Sequence, residues 1–207
     1  MSRAARLFTV LAANLALVGA LVGIGAAAHS LGLWAEGIDD LADAAAIGVA
    51  LLAMRLQRAS TRRPNGVSKA TRYAALVNAG WLLVLTALVA AGALDRLVSG
   101  AHRVRGLPVL IASAVAALTM GAGALVLGGD LDDEDDEDAG GKLSMRAVLL
   151  DTVGDAAAAA GVAGAGGVIV ATGGQYWLDP AVALLISVVV GYHALRLLGK
   201  VRSALRT

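Results

Sequence analysis

Apolar residues along this chain form long, nearly uninterrupted runs that short polar segments separate. A run of about 20 residues, with a helical rise of about 1.5 Å per residue, crosses a hydrocarbon layer about 30 Å thick. The pattern predicts an all-α polytopic membrane protein: one domain at residues 1–207, a bundle of six transmembrane helices with the lipid bilayer around it. The predicted spans are residues 7–28, 31–56, 73–98, 107–127, 143–172 and 179–198.

Both ends of the chain fit this single-domain scheme. The first run follows basic residues, as in a secretory signal, but its 22 residues exceed the roughly 7–15 apolar residues of a signal. We therefore interpret it as a spanning helix. After the sixth run only the nine residues 199–207 remain, too few to fold independently, so we expect no C-terminal soluble domain.

The amino-acid composition limits both the class of protein and the kinds of metal site that the chain can form. Hydrophobic residues make up 58% of the chain, more than a soluble domain can cover with polar surface. The chain has no cysteine, which excludes disulfides and thiolate metal sites, and its net charge of +1 gives no reason to expect a nucleic-acid partner. It also lacks a nucleotide-binding loop. We expect neither enzymatic catalysis nor a resident cofactor.

The basic residues predict the orientation of the helices. If both termini lie in the cytoplasm, 14 of the 17 Lys and Arg residues fall on the cytoplasmic side. The other three are Arg96, Arg103 and Arg105. Cytoplasmic loops of membrane proteins carry the excess of Lys and Arg. We therefore expect cytoplasmic N and C termini and a location in the plasma membrane.

Carboxylates inside predicted spans are the strongest functional signal. The second span contains Asp39 and Asp43, and the fifth contains Asp151 and Asp155, so each carries Asp-x-x-x-Asp. Four residues apart, two side chains lie on the same helix face, about 6 Å from each other. Both pairs fall near the middle of their spans, so we expect them to meet near the bilayer midplane.

Four converging carboxylates repel one another in a medium of low dielectric constant, and either protons or a divalent cation relieve that repulsion. This predicts a metal site that exchanges its ion for protons. Oxygen ligands favour Mn²⁺ or Fe²⁺, although geometry also admits Zn²⁺, Co²⁺ or Cd²⁺. The alternative is that the aspartates cap helices, pair with basic residues or line a water-filled crevice without binding metal.

These features resemble the cation diffusion facilitator family, whose members have six spans and a transport site in the second and fifth. The segment HSLGLWAEGIDDLADAAAIGVALLAMRL is similar to the family's second span, RAVLLDTVGDAAAAAG to its fifth, and YWLDPAVALLISVVVGYHALRLL to its sixth. The resemblance implies proton-coupled export of divalent metal ions and a homodimer. It implies four metal ligands, namely Asp39, Asp43, Asp151 and Asp155. We expect the family's cytoplasmic domain, which helps members to dimerise, not to follow the sixth span.

Other polar residues lie near the predicted ligands. Asp40 and Glu36 are candidates for groups beside the ligands or in the vestibule toward the outside, Asp40 being the better one. Asn78 lies where family members often have Asn, and a place beside the metal pathway competes with simple hydrogen bonding between helices. The histidines lie away from the aspartate motifs and are interpreted as polar anchors.

An acidic segment separates the fourth and fifth spans. Eight of the chain's 16 acidic residues lie at positions 130–138. We expect a flexible, solvated cytoplasmic loop at residues 129–142, which either collects cations near the entrance or serves only as a charged spacer. A competing hypothesis for the whole protein is a non-transporting membrane scaffold whose acidic loop recruits a basic partner.

Overall fold

The computed structural model describes residues 3–59, 64–100, 102–133 and 139–206, and within these ranges it contains six α-helices and no strand. The predicted all-α bundle of six helices is confirmed. The helices are α1 (Arg3–Ala28), α2 (Leu31–Ala59), α3 (Pro64–Ser99), α4 (Gly106–Asp133), α5 (Ala139–Thr172) and α6 (Leu178–Arg206).

Several helices are suited to a bilayer by length and composition. Among the described residues, three segments are long and apolar enough to cross a membrane: Leu76–Ser99, Leu149–Thr172 and Leu178–Arg196. Leu15–Ala28 and Gly106–Ala122 are shorter apolar helical segments. Four carboxylates interrupt the apolar sequence of α2, although the helix itself is continuous, and they lower its hydropathy. The chain is an integral membrane protein.

Several helices extend beyond the spans that the hydrophobic pattern predicts. α3 begins at Pro64 instead of residue 73, because proline is well tolerated in the first turn of a helix. α4 continues to Asp133 and α5 begins at Ala139, so helix occupies both ends of the predicted loop at 129–142. Residues 134–138 lie outside the described part of the chain, and the flexible acidic loop stays a prediction there.

The bundle is built from three closely packed helix pairs, α1 with α2, α3 with α6, and α4 with α5. α2 lies centrally, since it also contacts α3, α5 and α6. The outer surface is rich in large apolar side chains, whereas several polar side chains are buried inside. This distribution suits a protein whose outer surface faces lipid. Buried polar residues include Ser30, Glu36, Asp40, Ser113 and Asp179.

Two glycines let α4 and α5 touch backbone to backbone. A Cβ atom on Gly166 would lie 2.7 Å from the Leu110 nitrogen, and one on Gly106 would lie 2.8 Å from the Gly166 carbonyl oxygen. Real Cβ contacts are not this short. The close contact sets the position of α5, the helix that carries Asp151 and Asp155.

The turn between α1 and α2 is tight and hydrogen-bonded. His29 has a positive φ of 58°, and the next amide, that of Ser30, donates a 2.9 Å hydrogen bond to the Gly25 carbonyl. This is the pattern by which a helix commonly ends with one left-handed residue. The Arg105 amide donates to the Ala28 carbonyl at 3.1 Å, which attaches the segment before α4 to the same turn.

Candidate metal site

The start of α2 is fixed by side chains, and this determines where its carboxylates lie. The Ser30 hydroxyl accepts a 3.1 Å hydrogen bond from the Leu33 amide, as an N-terminal cap does. The buried Asp179 carboxylate accepts a hydrogen bond from the Ser30 hydroxyl and one of 3.2 Å from the Gly32 amide. α2 is thereby anchored to the first turn of α6.

The capped helix presents an acidic face. At about 100° per residue, its four carboxylates fall within an arc of about 100°. Glu36 and Asp40 are buried, with 3% and 5% of their surface exposed. Asp39 and Asp43 are half-buried. The acidic face therefore points largely into the bundle.

The fifth helix supplies the other two carboxylates, which are one turn apart. Asp155 is half-buried and Asp151 is exposed. Nearer the capped end of α2, α5 packs closely on this helix, because a Cβ on Gly32 would lie 3.1 Å from the buried Val162 side chain. These contacts hold α5 beside α2.

Three of the four predicted ligands converge. One carboxylate oxygen from each of Asp43, Asp151 and Asp155 lies within 4.8 Å of the other two. Asp43 of α2 and Asp155 of α5 thus bring carboxylate oxygens of two different helices within 4.8 Å of each other. Two oxygens that ligate one ion at about 2.2 Å can be at most about 4.4 Å apart, so this group is nearly compact enough for one cation.

The other predicted residues lie around this group in different ways. Asp39 lies one turn before Asp43 on α2 and is not a member of the compact group. Asp40 is buried, and Asn78 is half-buried in α3. The four-ligand set and the roles of Asp40 and Asn78 stay predictions.

Two polar contacts were not found from the sequence. The Ser113 hydroxyl of α4 donates a 2.8 Å hydrogen bond to Glu36 Oε2. Asp179 caps α2 from a position 148 residues away in the chain. No local pattern in the sequence indicates either contact, because the residues in each are far apart along the chain.

The arrangement suits a hard cation. The compact group offers only carboxylate oxygens and contains no histidine. If all three carboxylates were ionised they would repel one another, and either a divalent cation or bound protons would remove that repulsion.

Comparison with protein families relates this site to known proteins. Residues 7–205 match the family model described as the cation efflux transmembrane domain. The match includes both helices that carry the aspartates and nearly the whole chain. No curated protein sequence gives a significant match.

Proposed function

The chain belongs to the cation efflux family, a family of transporters and not of enzymes, and from this premise we propose that it exports divalent metal ions in exchange for protons. The observation that carries the proposal is the compact group of carboxylates from α2 and α5, whose oxygens lie within 4.8 Å of one another. In this proposal, the ion is bound by Asp39, Asp43, Asp151 and Asp155. Asp40 and Asn78 support these ligands from beside them.

Proton exchange follows from the chemistry of the group. Two carboxyl groups held within 4.8 Å of each other, such as those of Asp43 and Asp155, repel when both are ionised, so the metal-free pair is favoured when it carries a proton. A divalent ion at this position would displace that proton, and protonation from the opposite side would release the ion. Metal binding and proton release are then two descriptions of one exchange.

The donor atoms favour particular ions. Carboxylate oxygens suit hard divalent ions, which makes Mn²⁺ and Fe²⁺ the preferred cargo. Zn²⁺, Co²⁺ and Cd²⁺ are secondary candidates, because their protein sites more often include imidazole or thiolate. The ion is a substrate that passes through the protein.

The surroundings of the site complete the proposal. We place the protein in the plasma membrane with both termini in the cytoplasm, because this puts 14 of 17 basic residues on the cytoplasmic side. Transport then runs from the cytoplasm outward, past the acidic segment at 130–138. We propose that the working unit is a homodimer.

The experiment that tests the function is metal flux into proteoliposomes under a pH gradient, with Mn²⁺, Fe²⁺, Co²⁺, Zn²⁺ and Cd²⁺ offered separately. We expect flux of at least one ion, loss of that flux to the level of empty liposomes in Asp43→Ala and Asp155→Ala, and a fall when the gradient is dissipated. The matched control is Asp95→Ala, which removes an exposed carboxylate at the end of α3.

Two results would contradict the proposal. One is a wild-type protein that moves none of these ions, and the other is aspartate variants that move them as fast as the wild type. Either result would favour the competing hypothesis of a membrane scaffold. In that case Asp39→Ala would leave both stability and partner recruitment intact.

A further inference from the structure

A second pair of carboxylates lies deeper in the bundle than the compact group. Glu36 and Asp40 are one turn apart on α2, and each is at least 95% buried. The Ser113 hydroxyl of α4 donates to Glu36 Oε2 at 2.8 Å and is itself fully buried. Two carboxylates and one hydroxyl, contributed by two helices, thus share one interior region.

The hydrogen bonding of this pair is incomplete. Among the described residues, Glu36 Oε1 and Asp40 Oδ2 are buried and have no hydrogen-bond partner. Buried polar atoms are nearly always paired, and a buried carboxylate oxygen without a partner is costly. Two such atoms one helical turn apart indicate that something not belonging to the protein satisfies them.

A divalent cation can meet this requirement, since no hydrogen-bond donor among the described residues reaches either oxygen. Two carboxylate oxygens and a hydroxyl oxygen are ligands that hard divalent ions accept, with water completing the coordination. The donor set resembles the compact group in chemistry, because both offer only oxygen. An ion that binds one set is therefore suited to the other.

The pair lies between the compact group and the capped start of α2. Glu36 is closer than Asp43 to the capped start of the helix at Leu31, and their separation of seven positions corresponds to about 10 Å of rise. Asp40 lies between them on the same face. The carboxylates therefore form a series that runs from the compact group toward the capped end of the bundle.

We propose that Glu36, Asp40 and Ser113 form a second divalent-cation site, which the transported ion occupies between the compact group and the capped end of α2. The identity of the ion rests on the proposed function, whereas the existence of the site does not. With the termini in the cytoplasm, the capped end faces outward, and this site is the last one before release.

Binding stoichiometry tests the proposal on the purified full chain in detergent, with Mn²⁺ as the probe in equilibrium dialysis. We expect the Asp43→Asn/Asp155→Asn variant to bind one Mn²⁺ per chain fewer than the wild type and to retain one that Glu36→Gln/Asp40→Asn then removes. Ser113→Ala should weaken that retained ion by about tenfold. Weak binding by the acidic segment is common to all variants and cancels in these differences.

Two further variants serve as controls for misfolding. Glu36→Gln alone should weaken the second ion but keep the Mn²⁺ of the compact group, which shows that the bundle is intact, and Asp95→Asn should bind as the wild type does. If Asp43→Asn/Asp155→Asn abolishes all Mn²⁺ binding except that of the acidic segment, the second site is refuted while the proposed function stands. If the wild type binds no Mn²⁺ beyond the acidic segment, the second site fails, and flux of the other ions decides the proposed function separately.

Discussion

Asp179 Oδ2 accepts a 2.7 Å hydrogen bond from the backbone N–H of Leu31, so the second residue of α6 caps the first residue of α2. A helix start leaves four amides without partners inside the helix, and here Asp179 and Ser30 satisfy three of them. Arg96 of α3 lies 3.9 Å from the same oxygen and donates a 2.7 Å hydrogen bond to the His29 carbonyl. The Asp179 carboxylate therefore joins α2, α3 and α6 at the end of the bundle where α2 begins.

Removing this carboxylate should destabilise the bundle. Asp179→Ala leaves two amides and a hydroxyl without their buried acceptor, for which we expect a loss of about 2–3 kcal/mol. Asp179→Asn keeps the shape and one acceptor, so its loss should be about half as large. The measurement is the thermal unfolding midpoint in detergent, expected to fall by roughly 5–10 °C for Asp179→Ala. Asp95→Ala, at the same end of the bundle, is the control, and equal midpoints for the two alanine variants would contradict the capping role.

Ser30→Ala should cost less and should not add fully to the first change. The hydroxyl serves both as donor to Asp179 and as acceptor for the Leu33 amide, so its loss is expected to cost about 1 kcal/mol. Because the two side chains contact each other, the double variant Ser30→Ala/Asp179→Ala should lose less than the sum of the single losses. Unfolding midpoints of all four proteins give the coupling energy. Strict additivity would mean that the two side chains act independently.

The fold was largely predictable, since hydrophobicity marks where a chain crosses lipid. α2 begins at Leu31 as predicted, next to its capping serine. At the opposite end of the bundle, α3, α4 and α5 extend beyond the predicted spans. Hydropathy detects the apolar part of a helix and not its full hydrogen-bonded length. Polar residues between Pro64 and residue 73 continue α3 beyond the predicted span.

The site was predictable only as far as local spacing reaches. A separation of four residues put Asp151 and Asp155 on one face of a helix. That Asp43 joins them while Asp39 lies outside the compact group depends on the rotation of α2 against α5, which tertiary packing sets. The contact between Ser113 and Glu36 joins positions 77 residues apart, and no periodicity within one helix encodes it.

The glycine contact between α4 and α5 yields a matched pair of variants. A Cβ on Gly166 would meet the Leu110 backbone at 2.7 Å, whereas one on Gly164 meets nothing within 4 Å. We expect Gly166→Ala to push the helices apart and cost about 1–3 kcal/mol. Gly164→Ala should be neutral or slightly stabilising, because alanine is the better helix former.

Unfolding midpoints and metal flux together check this pair. Gly166→Ala should also reduce flux at temperatures where it remains folded, since α5 carries two of the carboxylates. If both variants unfold at the wild-type temperature, the close approach of the two helices is not tight enough to matter. If Gly164→Ala is the more destabilised, its side of α5 faces a partner that lies outside this chain.

Ion preference should respond to the chemistry of the donor atoms at the compact group. Asp151 is its most exposed member, so a substitution there disturbs the interior least. Asp151→His replaces one oxygen ligand by an imidazole nitrogen, which suits Zn²⁺ better than Mn²⁺. We expect the ratio of Zn²⁺ to Mn²⁺ flux to rise by roughly tenfold, which corresponds to about 1.4 kcal/mol.

Asp151→Asn is the control, because it removes the charge but adds no imidazole, and it should slow both ions with little change in their ratio. If Asp151→His and Asp151→Asn leave the same ratio, the side chain at position 151 does not ligate the ion, and the carboxylates of α2 and Asp155 must hold it without that residue.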